Sequence, residues 1–424
     1  MWFIVYNFFA LPVLDFLLRF ASLFNKKIRD GISGRKDLFT RLEAKLAVID
    51  KSKKIIWFHS SSMGEFEQAK PIIEKIKKEI DVNILVTFFS PSGYKNSLKY
   101  PHADVISYLP FDYASPMDKF ISIVNPSLVV LMRYDIWPNM IWQLKKASVP
   151  SFIVDATMRS NSKRSIPVSH SFHKRIFSDI SEILTVSEED AVNFAKFGVS
   201  PERIKSVGDT RFDRVYQKSQ AAKDKKIFRE SFFDGKKTIV LGSSWEADEE
   251  VMLPALLKLA ANFDNFRIII VPHEPTIQHL ELLELQLNGK ISNIRFSLLN
   301  NFKDEKVIII DSIGILLTLY YYADIAYVGG SFKQGIHNVL EPAVYGIPVL
   351  FGPKIENSQE ALKMVSLGSG MVVRNKKEAY RTLRKLFQDE NELKQLGEIS
   401  RKYVTENTGA TERIMQEIKK YLFN

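Results

Sequence analysis

Short apolar runs recur along this chain, and each is followed by a stretch whose apolar residues fall three and four apart. The runs Lys54 to His59, Asn83 to Phe89, Asp104 to Leu109, Ser127 to Met132, Ser151 to Asp155 and Ile183 to Val186 are nearly continuous in hydrophobicity. Strands buried on both faces have that character. Between the first two, Gln68 to Ile80 places Ile72, Ile73, Ile76 and Ile80 on one helical face. Strand and helix in alternation predict parallel βαβ units. The order weakens after Val207-Gly208-Asp209, and residues 215–235 are polar and basic, an expected interdomain connection with a helix in it. A second series then begins: Thr238 to Leu241, Phe266 to Val271, Lys306 to Ile310, Asp324 to Val328, Ile347 to Phe351 and Gly370 to Val373. The pattern predicts an α/β protein of two doubly wound domains facing a cleft at the carboxyl ends of both sheets.

The two ends of the chain carry their own patterns. Met1 to Leu14 has no charge, Asp15 and Arg19 interrupt a run that stays apolar to Phe24, and Lys26, Lys27 and Arg29 follow. The run is short and charged in its second half for a spanning helix, and its positive charge lies after the apolar stretch, unlike a signal peptide. It predicts an interfacial anchor or signal-anchor with its basic flank on the cytoplasmic side. A helix packed on the protein's own core is the structural alternative. The last helix, about 409–422, is amphipathic and fit to pack back on the first domain. The expected division is an anchor over 1–30, domains over 31–214 and 215–408, and a returning helix over 409–424.

With 424 residues, 46% hydrophobic and 25% charged, the chain is globular and long enough for two cores. It has no cysteine, which removes disulfides and thiolate chemistry. The formal charge of +10 fits a nucleic acid, an anionic membrane or a phosphorylated substrate. The basic residues are dispersed and no recognition helix stands out, so no nucleic-acid partner is expected.

The richest stretch is Val328-Gly329-Gly330-Ser331, then Gly335-Ile336-His337-Asn338-Val339-Leu340-Glu341-Pro342, then Gly346 to Pro353. A strand runs into a double glycine, and Asn338 reads as the N-cap of a helix with Glu341 in its first turn. Bare N–H groups at a helix start form an anion site. Glu341 repels phosphate but accepts from ribose hydroxyls. His59-Ser60-Ser61-Ser62-Met63-Gly64-Glu65 follows the first strand, where α/β sheets put active-site loops. Glu65 reads either as a capping-box glutamate or as a general base. Arg133 and Asp135 end the fourth strand, as an ion pair with loop backbone or as cleft residues. Arg211 lies near the domain junction, where a cation reaches a phosphate. His273 and His337 have no ligand cluster around them, so no metal and no cofactor is expected. The P-loop, dinucleotide and α/β-hydrolase motifs are missing.

These motifs resemble the 3-deoxy-D-manno-octulosonic acid (Kdo) transferases, the lipid A glycosyltransferases of Gram-negative bacteria. Trp57-Phe58-His59 to Gly64-Glu65, Asp135-Ile136-Trp137-Pro138-Asn139, Gly208 to Asp213 and Gly329 to Pro353 with Glu356-Asn357 carry the resemblance, in order, over nearly the whole chain. It implies a GT-B fold of two Rossmann-like domains with an N-terminal membrane-anchoring helix. It implies transfer of Kdo from CMP-Kdo to lipid IVA at the cytoplasmic face of the inner membrane, an anionic surface. By position Glu65 matches the base, and Asp135 and Arg211 match two residues that stabilise the transition state. Pro272, His273, Ile313, Gly314, Ile315, Asn338, Val339, Leu340 and Glu341 match the CMP-binding segments. The chain departs from the family pattern at Asp135 (usually Glu), Arg211 (usually Lys), His273 (commonly Arg), Ile313 and Ile315 (Met and Glu), and Ile336 (a second glycine). A sugar-nucleotide epimerase of the same fold, or a catalytically silent membrane-surface binding protein, are the alternative readings.

Overall fold

The structure is a computed structural model that describes residues 1–229 and 232–423. It contains two compact units, residues 1–214 with 408–424 and residues 215–407. Seven strands build the first sheet: β1 (Ile55–Ser60), β2 (Asn83–Phe88), β3 (Val105–Tyr108), β4 (Leu128–Met132), β5 (Ser151–Ala156), β6 (Glu182–Thr185) and β7 (Ile204–Ser206). Their spatial order is β3-β2-β1-β4-β5-β6-β7, all parallel. The second sheet holds β8 (Lys237–Ser244), β9 (Phe266–Pro272), β10 (Asn293–Arg295), β11 (Val307–Ile309), β12 (Ile325–Val328), β13 (Val349–Phe351) and β14 (Gly370–Val372). Their order is β10-β11-β9-β8-β12-β13-β14, again all parallel.

The sequence pattern misses β7 and β10. Both are three residues long, both lie at sheet edges, and every residue in them is only half-buried. An edge strand with one neighbour has no need of a continuous apolar run, and that run is the signal the pattern carries. The central strands are the opposite case: β2, β4 and β9 are buried along their whole length.

In a parallel sheet the chain reverses its direction of travel across the sheet at a switch point, and loops diverge there to leave a crevice. The first sheet switches between β1 and β4, the second between β8 and β12. Glu65, in the first turn of the helix after β1, and Asp135, in the loop leaving β4, stand at the first switch; Ser243, at the carboxyl end of β8, and Gly329-Gly330, directly after β12, stand at the second.

The C-terminal helix (Ala410–Phe423) buries Ile414, Met415, Ile418 and Leu422 in the core of the first unit, beside Ile56, Phe58 and Val130. Each such side chain contributes roughly 1.5–3 kcal/mol. Asp213 fixes its start, accepting from Gly409 N at 2.5 Å and from Thr411 N and Oγ1 at 2.6 and 2.7 Å. At the other end of the chain, Trp2–Ser22 is a continuous helix long and apolar enough to cross a membrane, with a π-helical turn at Tyr6–Ala10.

The double glycine is dictated by close approach of backbone. A Cβ on Gly329 would lie 2.2 Å from Ser243 O, and one on Gly330, where φ is +96°, would lie 2.2 Å from Gly335 O. Gly329→Ala is expected to destabilise the protein by about 1–3 kcal/mol. A urea midpoint unchanged from that of the parent chain would remove this packing argument.

Candidate active site

In the first unit, β1 delivers His59 into the interior and Ser62 starts the next helix (Met63–Glu79). The capping box forms in full. Glu65 N donates to Ser62 Oγ at 3.4 Å, while Ser62 N and Oγ donate to Glu65 Oε2 at 2.9 and 3.2 Å. The cap engages one carboxylate oxygen only. Glu65 is half-buried, and burial raises its pKa, with the charge of Asp135 pushing the same way and the Ser62 hydrogen bonds opposing. The fold therefore brings Glu65 and Asp135 into one electrostatic site.

Asp135 is held from behind by a chain of buried polar groups. Trp57 Nε1 donates to Thr87 Oγ1 at 2.7 Å, and Thr87 Oγ1 lies 2.8 Å from His59 Nδ1. A hydroxyl that already accepts from the indole offers its proton to Nδ1. That leaves the hydrogen on Nε2, which sits 2.9 Å from Asp135 Oδ2. Trp137 Nε1 is 3.2 Å from the same Nε2. With that nitrogen protonated, the indole N–H serves Asp135, to which Ser61 also bonds. Burial alone would raise the pKa of Asp135, but His59, Ser61 and Trp137 outweigh it and hold it below its ordinary value, so Asp135 stays charged. Sequence reading named His59 only as part of a motif. Its role has no signature in the chain, because Trp57, Thr87 and Asp135 come from three different strands or loops.

Arg211 stands in a different arrangement. It chelates Asp209, Nε to Oδ1 and Oδ2 at 3.1 and 2.9 Å and Nη2 to Oδ2 at 2.6 Å. The preceding Thr210 N donates to the fully buried Asp155 at 3.0 Å. Burial and the neighbouring Asp209 push the Asp155 carboxyl up to about 7. Arg133 and Asp155 both have positive φ, +61° and +53°, at the ends of β4 and β5. Strained backbone at strand ends is concentrated at functional sites.

The second unit encloses a cavity of about 560 Å³ at its own switch point. Pro272, His273, Ile313, Gly314, Asn338 and Glu341 line it. Val339 and Leu340 are instead buried in the core, and Ile315 caps the helix Leu316–Tyr320 from outside the lining. The expected helix after Asn338 is corrected to a single turn, Leu340–Ala343, with Val339 at its N-cap position. Asn338 still accepts from Leu340 N, at 3.1 Å. Pro342 follows two residues into this turn and Gly346 soon after. So short a helix sums few peptide dipoles, and the anion reading moves from a macrodipole to side-chain cations.

Those cations are Lys218 and Lys225, which line the cavity from the basic stretch read as a connection. Lys218 lies near enough to Glu341 to counter the rise that burial gives this carboxyl, with Asn338 acting alongside. His273 and His337 stack in the lining at 4.4 Å, and Trp245, outside the lining, stacks on His273 at 4.6 Å. His337 Nε2 accepts from Trp245 Nε1 at 3.0 Å, and burial beside His273 lowers its pKa to about 4, so it is a neutral ring. The glycine loop above it hangs on buried Asp248, which accepts from Gly330 N, Trp245 N and Tyr327 Oη at 2.8, 3.0 and 2.7 Å.

Comparison with known proteins bears on what these features serve. Residues 36–214 match the family described as 3-deoxy-D-manno-octulosonic-acid transferase (kdotransferase). The chain is 29% identical over 347 residues to the 3-deoxy-D-manno-octulosonic acid transferase of Chlamydophila psittaci, covering 79% of this chain and 78% of that one. It is 28% identical over 419 residues to that of Rickettsia felis, covering 95% and 87%. Among solved structures, the UDP-GlcNAc 2-epimerase of Neisseria meningitidis bound to UDP-GlcNAc superposes with a TM-score of 0.63 at 14% identity, covering 87% of this chain and all of the other. At that identity the likeness shows the two-domain α/β fold of GT-B type and nothing of the activity. The matched domain, with the similarity that runs on from it through most of the sequence, makes this chain similar to the Kdo transferases along most of its length.

Proposed function

We propose that the protein transfers Kdo from CMP-Kdo to lipid IVA with inversion at the anomeric carbon, and that Glu65 is the general base. The observation that carries this reading is the half-buried Glu65 carboxyl, raised above the ordinary carboxylate range beside a charged Asp135. A base working near neutral pH gains from that tuning. Glu65 removes the proton of an acceptor hydroxyl as its oxygen bonds to the anomeric carbon, and the glycosidic bond to CMP breaks. Asp135 fixes the local field, and Arg211 supplies positive charge to the developing negative charge.

The cavity of the second unit is the proposed donor site. Its ring stack offers a face to a pyrimidine, Glu341 accepts from ribose hydroxyls, and Lys218 and Lys225 attract the phosphate that leaves. The acceptor is an anionic lipid, which the overall positive charge favours, each Lys or Arg near such a surface adding about 1 kcal/mol. The proposed location is the cytoplasmic face of the inner membrane, held there through the helix Trp2–Ser22.

The direct test is incubation of the detergent-solubilised protein with lipid IVA and CMP-Kdo, regenerated by a coupled synthetase, with mass spectrometry of the lipid. A gain of one or more Kdo units is expected; lipid of unchanged mass while the donor persists defeats the proposal. Glu65→Gln is expected to lose about 10²–10⁴-fold in kcat, with CMP affinity within a few-fold of the parent, as read by calorimetry. Transfer at the parent rate would take Glu65 out of the chemistry.

The pH profile checks the electrostatics. A base acts when deprotonated, so kcat/KM rises with pH through the pKa of Glu65, which burial and Asp135 place above the ordinary value. Asp135→Asn removes the negative neighbour, so the acid limb is expected to move to lower pH. A limb that stays in place, or rises, contradicts the coupling.

A further inference from the structure

The N-terminal helix is long enough to span a bilayer, being 21 residues and so about 31 Å. Its contacts say otherwise. Trp2 Nε1 donates to Ser171 Oγ at 3.1 Å, and its ring meets Phe172 edge-on at 5.5 Å. Tyr6 Oη donates to Asp112 Oδ2 at 2.9 Å. Asn7 and Asn139 exchange two side-chain hydrogen bonds, at 2.8 and 3.0 Å. Leu11 is 4% exposed, and Asp15 pairs with Arg19 at 2.8 Å and bonds to Tyr113. Trp2, Tyr6, Asn7, Leu11 and Asp15 are spaced four or five apart or adjacent, so they form one stripe, and it faces the helix's own domain over about 20 Å of axis.

The opposite side is bare and apolar. Phe8, Phe9, Phe16 and Phe20 are 69, 67, 68 and 55% exposed, and Val13, Leu17, Leu23 and Phe24 join them. Lys26, Lys27 and Arg29 follow directly. A helix that crosses a membrane surrounds its middle with lipid. Here the N-terminal third carries hydrogen bonds to Asp112 and Asn139, which belong to a sheet-and-helix domain, Leu11 at the middle is buried, and the Asp15–Arg19 pair would sit in hydrocarbon.

We infer that Trp2–Ser22 lies in the plane of the membrane and does not cross it, its aromatic face sunk in the acyl boundary and its polar stripe bolted to the domain. The partner is a bilayer with anionic headgroups, matched by the basic residues that follow the helix. This rests on the membrane location proposed above. The same bolts reach the active-site loop: Asn139 N and Met140 N donate to Asp112, both at 3.0 Å, and Asn139 Nδ2 donates to Asp112 O. Asp112 thereby ties the helix to the segment that follows Asp135, and the height of that loop above the bilayer is set by the helix.

The chain has no cysteine, so single-cysteine variants of the full-length protein label cleanly. Phe9→Cys, Phe16→Cys and Phe20→Cys, each carrying an NBD fluorophore, alter only exposed positions. In vesicles of phosphatidylethanolamine and phosphatidylglycerol, NBD emission is expected to rise several-fold at all three. A shallow spin-labelled lipid should quench all three alike, about 5–10 Å below the surface, and one labelled at the chain end should quench them little. Strongest quenching of one position by the deep label, with the others shallow, is the signature of a spanning helix and overturns the inference. Emission unchanged by vesicles overturns it too, whether the face is then bare or covered by a second copy of the chain. Kdo transfer is assayed on the same samples, so a failure of the transferase reading appears there and leaves the depth measurement intact.

Discussion

Parallel strands cannot be joined by a hairpin, because each must be re-entered from the same end, so every crossover passes over a face of the sheet through a helix. In this protein every pair in both sheets is parallel. All carboxyl ends therefore leave along one edge of each sheet, and functional loops have nowhere else to gather. The switch between β1 and β4 brings residues 59–65 and 133–137 together across some seventy positions of sequence, and the switch between β8 and β12 does the same for residues 242–244 and 329–330. The cavity of the second unit and the carboxylate pair of the first are consequences of the same topological rule.

That rule explains which parts of the protein were legible in the chain. Central strands announce themselves, since burial on both faces demands continuous hydrophobicity; β7 and β10, each with one strand neighbour, make no such demand. Asn338 was readable as a cap because its amide does accept from Leu340 N. The length of the helix was not readable, because Leu340-Glu341-Pro342-Ala343 is a plausible first turn whose continuation is decided by the packing of Val344, Ile347 and the strand that follows. Lys218 and Lys225 looked like solvated charge in a polar stretch. Their place on the cavity wall depends on where the helix Thr210–Lys223 and the segment after it run, which local composition does not encode. The support of Asp135 by His59, Thr87 and Trp57 belongs to the same class: each residue is ordinary in its own strand, and only the register of β1 against β2, with His59 opposite Thr87, aligns them.

The N-terminal segment shows the limit of composition most directly. By hydropathy and length it passes for a membrane span. Two polar side chains, Tyr6 and Asn7, change the reading, and they do so through their partners and not through their own polarity. An asparagine in an apolar run is compatible with a span; an asparagine locked to Asn139 of the first unit argues against one.

Glu65 carries two readings that first seemed to compete, a cap and a base, and the geometry makes them complementary. Both hydrogen bonds from Ser62 end on Oε2. They fix the carboxylate's orientation while occupying only part of its accepting capacity, which for an ionised carboxylate is about four lone-pair sites. Those same bonds favour the charged form and so work against burial and Asp135, which favour the protonated one. A base that was buried without the cap would be more basic and less oriented; one capped in open solvent would be oriented but weakly basic. The half-buried position at a helix start, next to a carboxylate kept ionised by His59, Ser61 and Trp137, combines orientation with a raised proton affinity. The position of Glu65 three residues after Ser62 therefore serves the helix and the proposed chemistry through the same atoms.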